Sequence, residues 1–161
     1  MKYTLVKELM TIPAITIDEN TTIEETINLL KEHNIGFLPV TKSNIIIGVV
    51  TDRDILLRLP NLESLKERIS NVVTSSELHF VSPETDLETA AKIMAKNKIR
   101  RLPVLNDGVA IGILTTKNLL KEDSLMHYIK ETYNKNSTLN PYSIYNNNNP
   151  HDSVKTSDFQ L

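Results

Sequence analysis

The chain has 161 residues, 40% apolar and 24% charged, and its 18 basic and 20 acidic side chains leave a formal charge of −2. With no cysteine, disulfide frameworks, thiolate zinc sites and cysteine nucleophiles are excluded. The near-neutral balance removes the bulk electrostatic pull on which nucleic-acid binders rely, and the longest apolar run, Ile45 to Val50, is broken by Gly48 and too short to span a bilayer. Lys7 and Glu8 fall where a signal peptide needs its apolar stretch, which predicts a cytoplasmic protein.

Taken in chain order, a strand is predicted at Ile15-Thr16-Ile17, where every residue is β-branched. A helix follows, because Thr21-Thr22-Ile23-Glu24 reads as a Ser/Thr-x-x-Glu capping box and Ile23, Ile27 and Leu30 keep helical spacing. Gly36–Val40 and Ile45–Val50 read as strands joined through Thr41-Lys42-Ser43-Asn44, and a second helix begins near Asp52. The stretch from Arg58 to Ile69, with Pro60-Asn61 and the helical-looking, mixed-charge Leu62–Arg68, reads as a connector.

The same series then returns. A strand is predicted at His79-Phe80-Val81, a capping box at Thr85-Asp86-Leu87-Glu88 and a helical stripe at Leu87, Ala91 and Met94. Strands Arg100–Leu105 and Val109–Leu114 flank Asn106-Asp107-Gly108, a strong hairpin signal, and a helix begins near Thr116. Leu119, Met126, Ile129 and Tyr133 share one helical stripe, which carries helix to about Tyr133. From Asn134 the chain is poor in apolar residues and holds seven Asn, four consecutive at Asn146–Asn149, a composition that predicts a disordered tail.

Sliding the chain by 64 positions aligns residues 6–56 with 70–120 without a gap, and ten of the 51 pairs are identical. The matches cluster at Leu38-Pro39-Val40 with Leu102-Pro103-Val104 and at Gly48-x-x-Thr51 with Gly112-x-x-Thr115. The fold expected is α+β: two β-α-β-β-α repeats packed sheet to sheet, since one unit of ~50 residues buries too little apolar surface alone. The layout predicted is a first repeat over 1–60, a connector over 61–69, a second repeat over 70–120, a C-terminal helix over 121–133 and the tail over 134–161.

The strings Ile35-Gly36-Phe37-Leu38-Pro39-Val40 with Ile47–Leu56, and Ile99-Arg100-Arg101-Leu102-Pro103-Val104 with Ile111–Leu120, closely resemble the signature of the cystathionine-β-synthase (CBS) domain; Val6–Thr11 resembles its lead-in. The likeness covers roughly residues 5–120. It implies a tandem CBS pair, or Bateman module, with pseudo-two-fold symmetry. Such pairs are regulatory sensors of adenosine ligands and commonly dimerise.

Gly48–Asp54 fits the family's Gly-apolar-x-Thr/Ser-x-x-Asp nucleotide signature in full. Gly48, without a Cβ, lets a ligand approach the strand backbone. Thr51 stands where a helix begins, so its hydroxyl and the free amides behind it can meet a phosphate. Asp54 offers acceptor oxygens for paired ribose hydroxyls. Thr51-x-x-Asp54 is also a capping box, which needs no ligand.

The resemblance further implies that each cleft is completed by the other repeat. Thr51 and Asp54 would face Ser75–His79 and Ile99-Arg100-Arg101, with an arginine fork matching phosphate. Strand alternation sends the two arginines to opposite faces, so one is expected in the cleft. A second, weaker site would set Thr115 and Asn118 against Thr11–Ile15 and Ile35-Gly36-Phe37. There Asn118 stands where Asp is expected, and an amide has one acceptor oxygen and two N–H donors.

His33, His79, His127 and His151 show no metal-ligand spacing, and no nucleophile triad, Walker loop or dinucleotide fingerprint is present. A non-enzymatic homodimeric regulator is therefore expected, with an adenine nucleotide (AMP, ADP or ATP) or S-adenosylmethionine as ligand and no other cofactor. It would signal to an effector protein by a conformational shift, without membrane or nucleic acid. The alternative is a ligand-independent dimeric scaffold that docks a partner through the C-terminal extension.

Overall fold

The computed structural model describes residues 4–73 and 78–134. A one-turn helix, α1 (Val6–Leu9), precedes the first repeat: β1 (Ile17–Asp18), α2 (Ile23–Glu32), β2 (Phe37–Lys42), β3 (Ile45–Thr51) and α3 (Asp52–Arg58). The second repeat is α4 (Leu87–Asn97), β4 (Arg101–Asn106), β5 (Val109–Thr115) and α5 (Thr116–Leu119), after which α6 (Met126–Tyr133) packs on α4. The strand expected at Ile15–Ile17 shares only Ile17 with β1, which is shorter, runs one residue further and pairs parallel with β2; its counterpart is a single bridge, Val81 to Val104.

The two hairpins are near copies. Both close through two residues with positive φ, Ser43-Asn44 and Asp107-Gly108, as type I′ turns require. The four-residue turn expected at Thr41–Asn44 is shorter because Thr41 stays in the strand, buried, with its hydroxyl donating to the Ile17 carbonyl (3.2 Å). Both ladders slip at the same place, Val40/Thr41 and Val104/Leu105.

Both predicted capping boxes sit one residue too early. Thr22 caps α2: its hydroxyl accepts from the Glu25 amide (3.2 Å), and Glu25 accepts from the Thr22 amide (2.9 Å). Asp86 caps α4, accepting from the Thr89 amide (2.8 Å), while the Thr85 hydroxyl turns back to accept from Ser82 N–H (3.1 Å). These bonds hold Glu25 and Asp86 below the usual carboxylate range.

The segment Leu62–Arg68 is not helical. It lies along the start of α2, where the carbonyls of Glu67 and Leu65 accept from the Ile23 and Glu24 amides (both 2.9 Å). Ile69 and Val72 then bury in the first repeat's core with Ile23, Leu38 and Val50. The N-terminal lead-in makes the reciprocal move: the Leu87 amide donates to Thr4 (3.0 Å), the Val6 amide donates to Thr85 (2.9 Å), and Val6 buries beside Leu87, Met94 and Leu102 of the second repeat. Each lead-in thus completes the other repeat's core.

The bonding also corrects the gapless register. Val6 N–H to Thr85 corresponds to Ile69 N–H to Thr21, and Lys7 N–H to Pro83 corresponds to Ser70 N–H to Glu19, so Val6 matches Ile69 and not Ser70. Buried side chains form two clusters, one per repeat, rather than one fused core, and β3 meets β5 between them. In the second repeat Ala91 and Ala95, standing where α2 has Ile27 and Lys31, keep the α4 surface low beneath α6. The tail from residue 135, expected to be disordered, lies outside the described residues.

Candidate functional site

Two clefts open between the repeats. The first, about 310 Å³, is lined by Phe37, Val49 and Thr51–Asp54 from one repeat and by Leu78, His79, Lys98–Arg101 and Pro103 from the other. The second, about 250 Å³, is lined by Thr11, Pro13, Ile15 and Asn34–Phe37 opposite Arg101, Ile113 and Thr115.

At the first cleft β3 ends in the α3 cap. The Thr51 hydroxyl accepts from the Asp54 amide (3.1 Å) and donates to Asp54 Oδ2 (2.7 Å), which also accepts from the Thr51 amide (2.9 Å). The Arg53 amide donates to Asp52 Oδ1 (2.8 Å) and the Asp52 amide to the Gly36 carbonyl (3.4 Å). The amides expected to meet a phosphate are therefore already bonded, and the proton of the Thr51 hydroxyl is committed to Asp54. What remains open is Asp54 Oδ1, which takes no hydrogen bond from the described residues and is half-buried.

The same cleft is lined by Arg53, Lys98, Arg100 and Arg101 against Asp52 and Asp54, a net cationic lining. Neither Arg53 nor Arg101 forms an ion pair among the described residues. Cations without internal carboxylate partners in a concave site suit a ligand that brings its own negative charge.

Of the residues expected here, Thr51, Asp54, His79, Ile99, Arg100 and Arg101 line the first cleft together. Gly48 does not: it pairs with Val40 in mid-hairpin, away from the strand end where the cleft opens. Both arginines reach the cleft, against the alternation argument, because Arg100 precedes β4 and only Arg101 belongs to the strand. Ser75 to Glu77 of the expected facing segment lie outside the described residues.

Sequence reasoning missed Arg53 and Lys98. The signal available was symmetry: Lys98 and Asn34 occupy equivalent positions, both left-handed (φ 55° and 50°), and each lines its own cleft.

In the second cleft Ile15, Ile35, Gly36, Phe37 and Thr115 are brought together, whereas Asn118 is not part of the lining. Asn118 repeats the Asp54 cap, its Oδ1 accepting from the Thr115 amide (2.8 Å) and hydroxyl (2.7 Å). The group left over is therefore an Nδ2 donor where Asp54 leaves an acceptor. A glycine is required at Gly112, where a Cβ would stand 3.0 Å from the Thr11 carbonyl and 2.8 Å from Met10 Sδ. Thr11 bridges Ile113 there, so this glycine admits the protein's own chain.

Among the described residues no cluster of His, Asp and Glu could hold a metal ion, and no helix is long and apolar enough to cross a membrane.

Two β-hairpin repeats that exchange lead-ins and leave a cleft on either side are the architecture of a tandem-repeat α+β module. Sequence comparison agrees: the CBS domain family matches at residues 6–61 and again at 69–124, and the chain belongs to that family. It is 37% identical over 114 residues to the CBS domain-containing protein YhcV of Bacillus subtilis, covering 71% of this chain and 81% of that protein. Among solved structures it resembles the CBS domain pair of protein MJ0100 in complex with 5′-methylthioadenosine and S-adenosyl-L-methionine (TM-score 0.66, 28% identity, 74% of this chain and 95% of that one). It also resembles CBSX2 in complex with AMP (TM-score 0.65, 30% identity, 76% and 98% covered).

Proposed function

We propose that this CBS pair is a non-catalytic regulatory sensor whose first cleft binds a phosphorylated adenosine of the AMP, ADP or ATP type. The observation that carries the reading is the convergence of an open carboxylate oxygen, Asp54 Oδ1, with Arg53, Arg100 and Arg101 in one cleft. Asp54 Oδ1 accepts from a ribose hydroxyl, the arginines take the phosphates, and Ile99 with Phe37 supplies apolar surface for the base. Support also comes from the adenosine ligands in the complexes of MJ0100 and CBSX2.

The second cleft carries one cation, Arg101, amid Ile15, Ile35, Phe37 and Ile113, and suits an uncharged nucleoside better than a nucleotide. Binding shifts the two repeats of a cytoplasmic homodimer only as far as the ligand's affinities for the two arrangements differ, and an effector protein reads the shift. Calorimetric titration of nucleotide-stripped protein with AMP, ADP, ATP and S-adenosylmethionine tests the reading: saturable heat with a phosphorylated adenosine is expected. Absence of heat with all four would overturn it.

A further inference from the structure

The C-terminal helix α6 follows the second CBS match, which ends at residue 124, yet its last turn reaches two of the first cleft's cations. The Arg100 guanidinium lies 5.9 Å from the centre of the Tyr133 ring, and Lys98 Nζ donates to the Glu131 carbonyl (2.9 Å). Tyr133 is itself anchored, its hydroxyl 3.0 Å from that of the buried Thr116, whose amide donates to the Arg100 carbonyl (3.0 Å). Arg100, Thr116 and Tyr133 thus form a closed circuit. Among the described residues, the equivalent positions of the first repeat, Gly36 and Asp52, have no such helix beside them.

We infer that the last turn of α6 is a positioning element of the nucleotide cleft: Tyr133 and the Glu131 carbonyl hold Arg100 and Lys98 where a ligand phosphate meets them. This rests on the reading of that cleft as a phosphorylated-adenosine site. A long cationic side chain already held in place loses less freedom on binding; a cation over an exposed ring favours that pose two- to fivefold, which is the ceiling on the gain in affinity. By reciprocity, a ligand engaging Arg100 steadies the last turn of α6 by the same factor.

The test is calorimetry on the full chain with AMP and with adenosine. Tyr133→Ala is expected to weaken AMP binding two- to fivefold and to leave adenosine binding unchanged. Tyr133→Phe keeps the ring and is expected to stay near wild type for AMP. In an Arg100→Ala background, Tyr133→Ala should have no further effect on AMP. Unchanged AMP affinity in Tyr133→Ala, an equal loss for adenosine, or additive effects of the two substitutions would overturn the inference while leaving the cleft's assignment standing. Failure of the wild-type chain to bind AMP, ADP or ATP would instead overturn the assignment, and this inference with it.

Discussion

Asp54→Asn separates the two tasks that one carboxylate performs. Asp54 Oδ2 holds the α3 cap through bonds of 2.9 and 2.7 Å, with the Thr51 hydroxyl returning one of 3.1 Å. Asn118 repeats all three: its carbonyl oxygen accepts from the Thr115 amide and hydroxyl (2.8 and 2.7 Å), and its own backbone amide donates to the Thr115 hydroxyl (3.2 Å). An amide therefore keeps the cap, and the fold loses only a negative charge in the first helical turn, worth ~0.3–1 kcal/mol. Asp54→Ala would lose the cap as well, about another 1 kcal/mol. In the cleft, by contrast, the charged acceptor Oδ1 becomes a neutral N–H donor, so a ribose hydroxyl that donated to the carboxylate must turn round to accept. A hydrogen bond to a charged group contributes ~1.5–3 kcal/mol, so affinity should fall roughly ten- to hundredfold. Removing a carboxylate beside the phosphates offsets part of that loss for AMP and none of it for adenosine. The assay is calorimetry paired with thermal unfolding: a melting temperature lowered by less than about 5 °C, with a large loss of AMP binding. Wild-type affinity in a folded Asp54→Asn protein would refute the ribose role, and collapse of the fold would refute the equivalence of the caps.

Gly112→Ala should destabilise the chain by about 1–3 kcal/mol, because the added methyl meets the Thr11 backbone carbonyl at 3.0 Å and pushes against a segment that the Thr11–Ile113 bridge holds in place; denaturant unfolding measures it. Gly36→Ala should cost less, since its nearest neighbour, at 2.7 Å, is the movable carboxylate of Asp52. Val6→Ala and Ile69→Ala, each emptying space in the core of the opposite repeat, should each lower stability by about 1–4 kcal/mol, whereas exposed Ser70→Ala should be neutral; equal effects at Ile69 and Ser70 would restore the gapless register. Acid should weaken the helix starts. Glu25 and Asp86 lie below their ordinary values of 4.5 and 3.8 in the folded state, so their contribution is complete above those values and is lost as pH falls through the lower folded ones; Glu25→Gln should flatten the decline of melting temperature below pH 4.5.

What the sequence made legible was local. The second hairpin was readable because a two-residue turn with positive φ calls for Asn or Gly and Gly108 stands there, whereas at the first the strands were readable but the turn, Ser43-Asn44, is two residues shorter than the sequence suggests. The caps were readable to within one residue only. Thr21-Thr22 and Glu24-Glu25 satisfy the same motif in two registers, and the choice is tertiary: the Thr21 carbonyl accepts from Ile69 and the Thr85 carbonyl from Val6. The lead-in exchange was not readable at all. Val6 and Ile69 look like ordinary short-helix residues, and nothing local says that each buries in the repeat it does not precede.

The asymmetry between the clefts runs deeper than the exchange of Asp54 for Asn118. Under the pseudo-two-fold, Ile15, Asn34, Gly36 and Phe37 on one side become His79, Lys98, Arg100 and Arg101 on the other. The hydrogen-bonded frame is preserved almost bond for bond, while the surface facing it changes from apolar to cationic. The cap residue decides whether a hydroxyl finds an acceptor; the opposing segment decides whether a phosphate is met by charge. Arg101 lines both clefts, and one guanidinium cannot fully serve a phosphate in each. A ligand that engages it in the first cleft leaves the second still more apolar. On the proposed reading the two clefts favour different members of one chemical class, and the cap residue, a strand end and a helix from outside the repeat set that bias together.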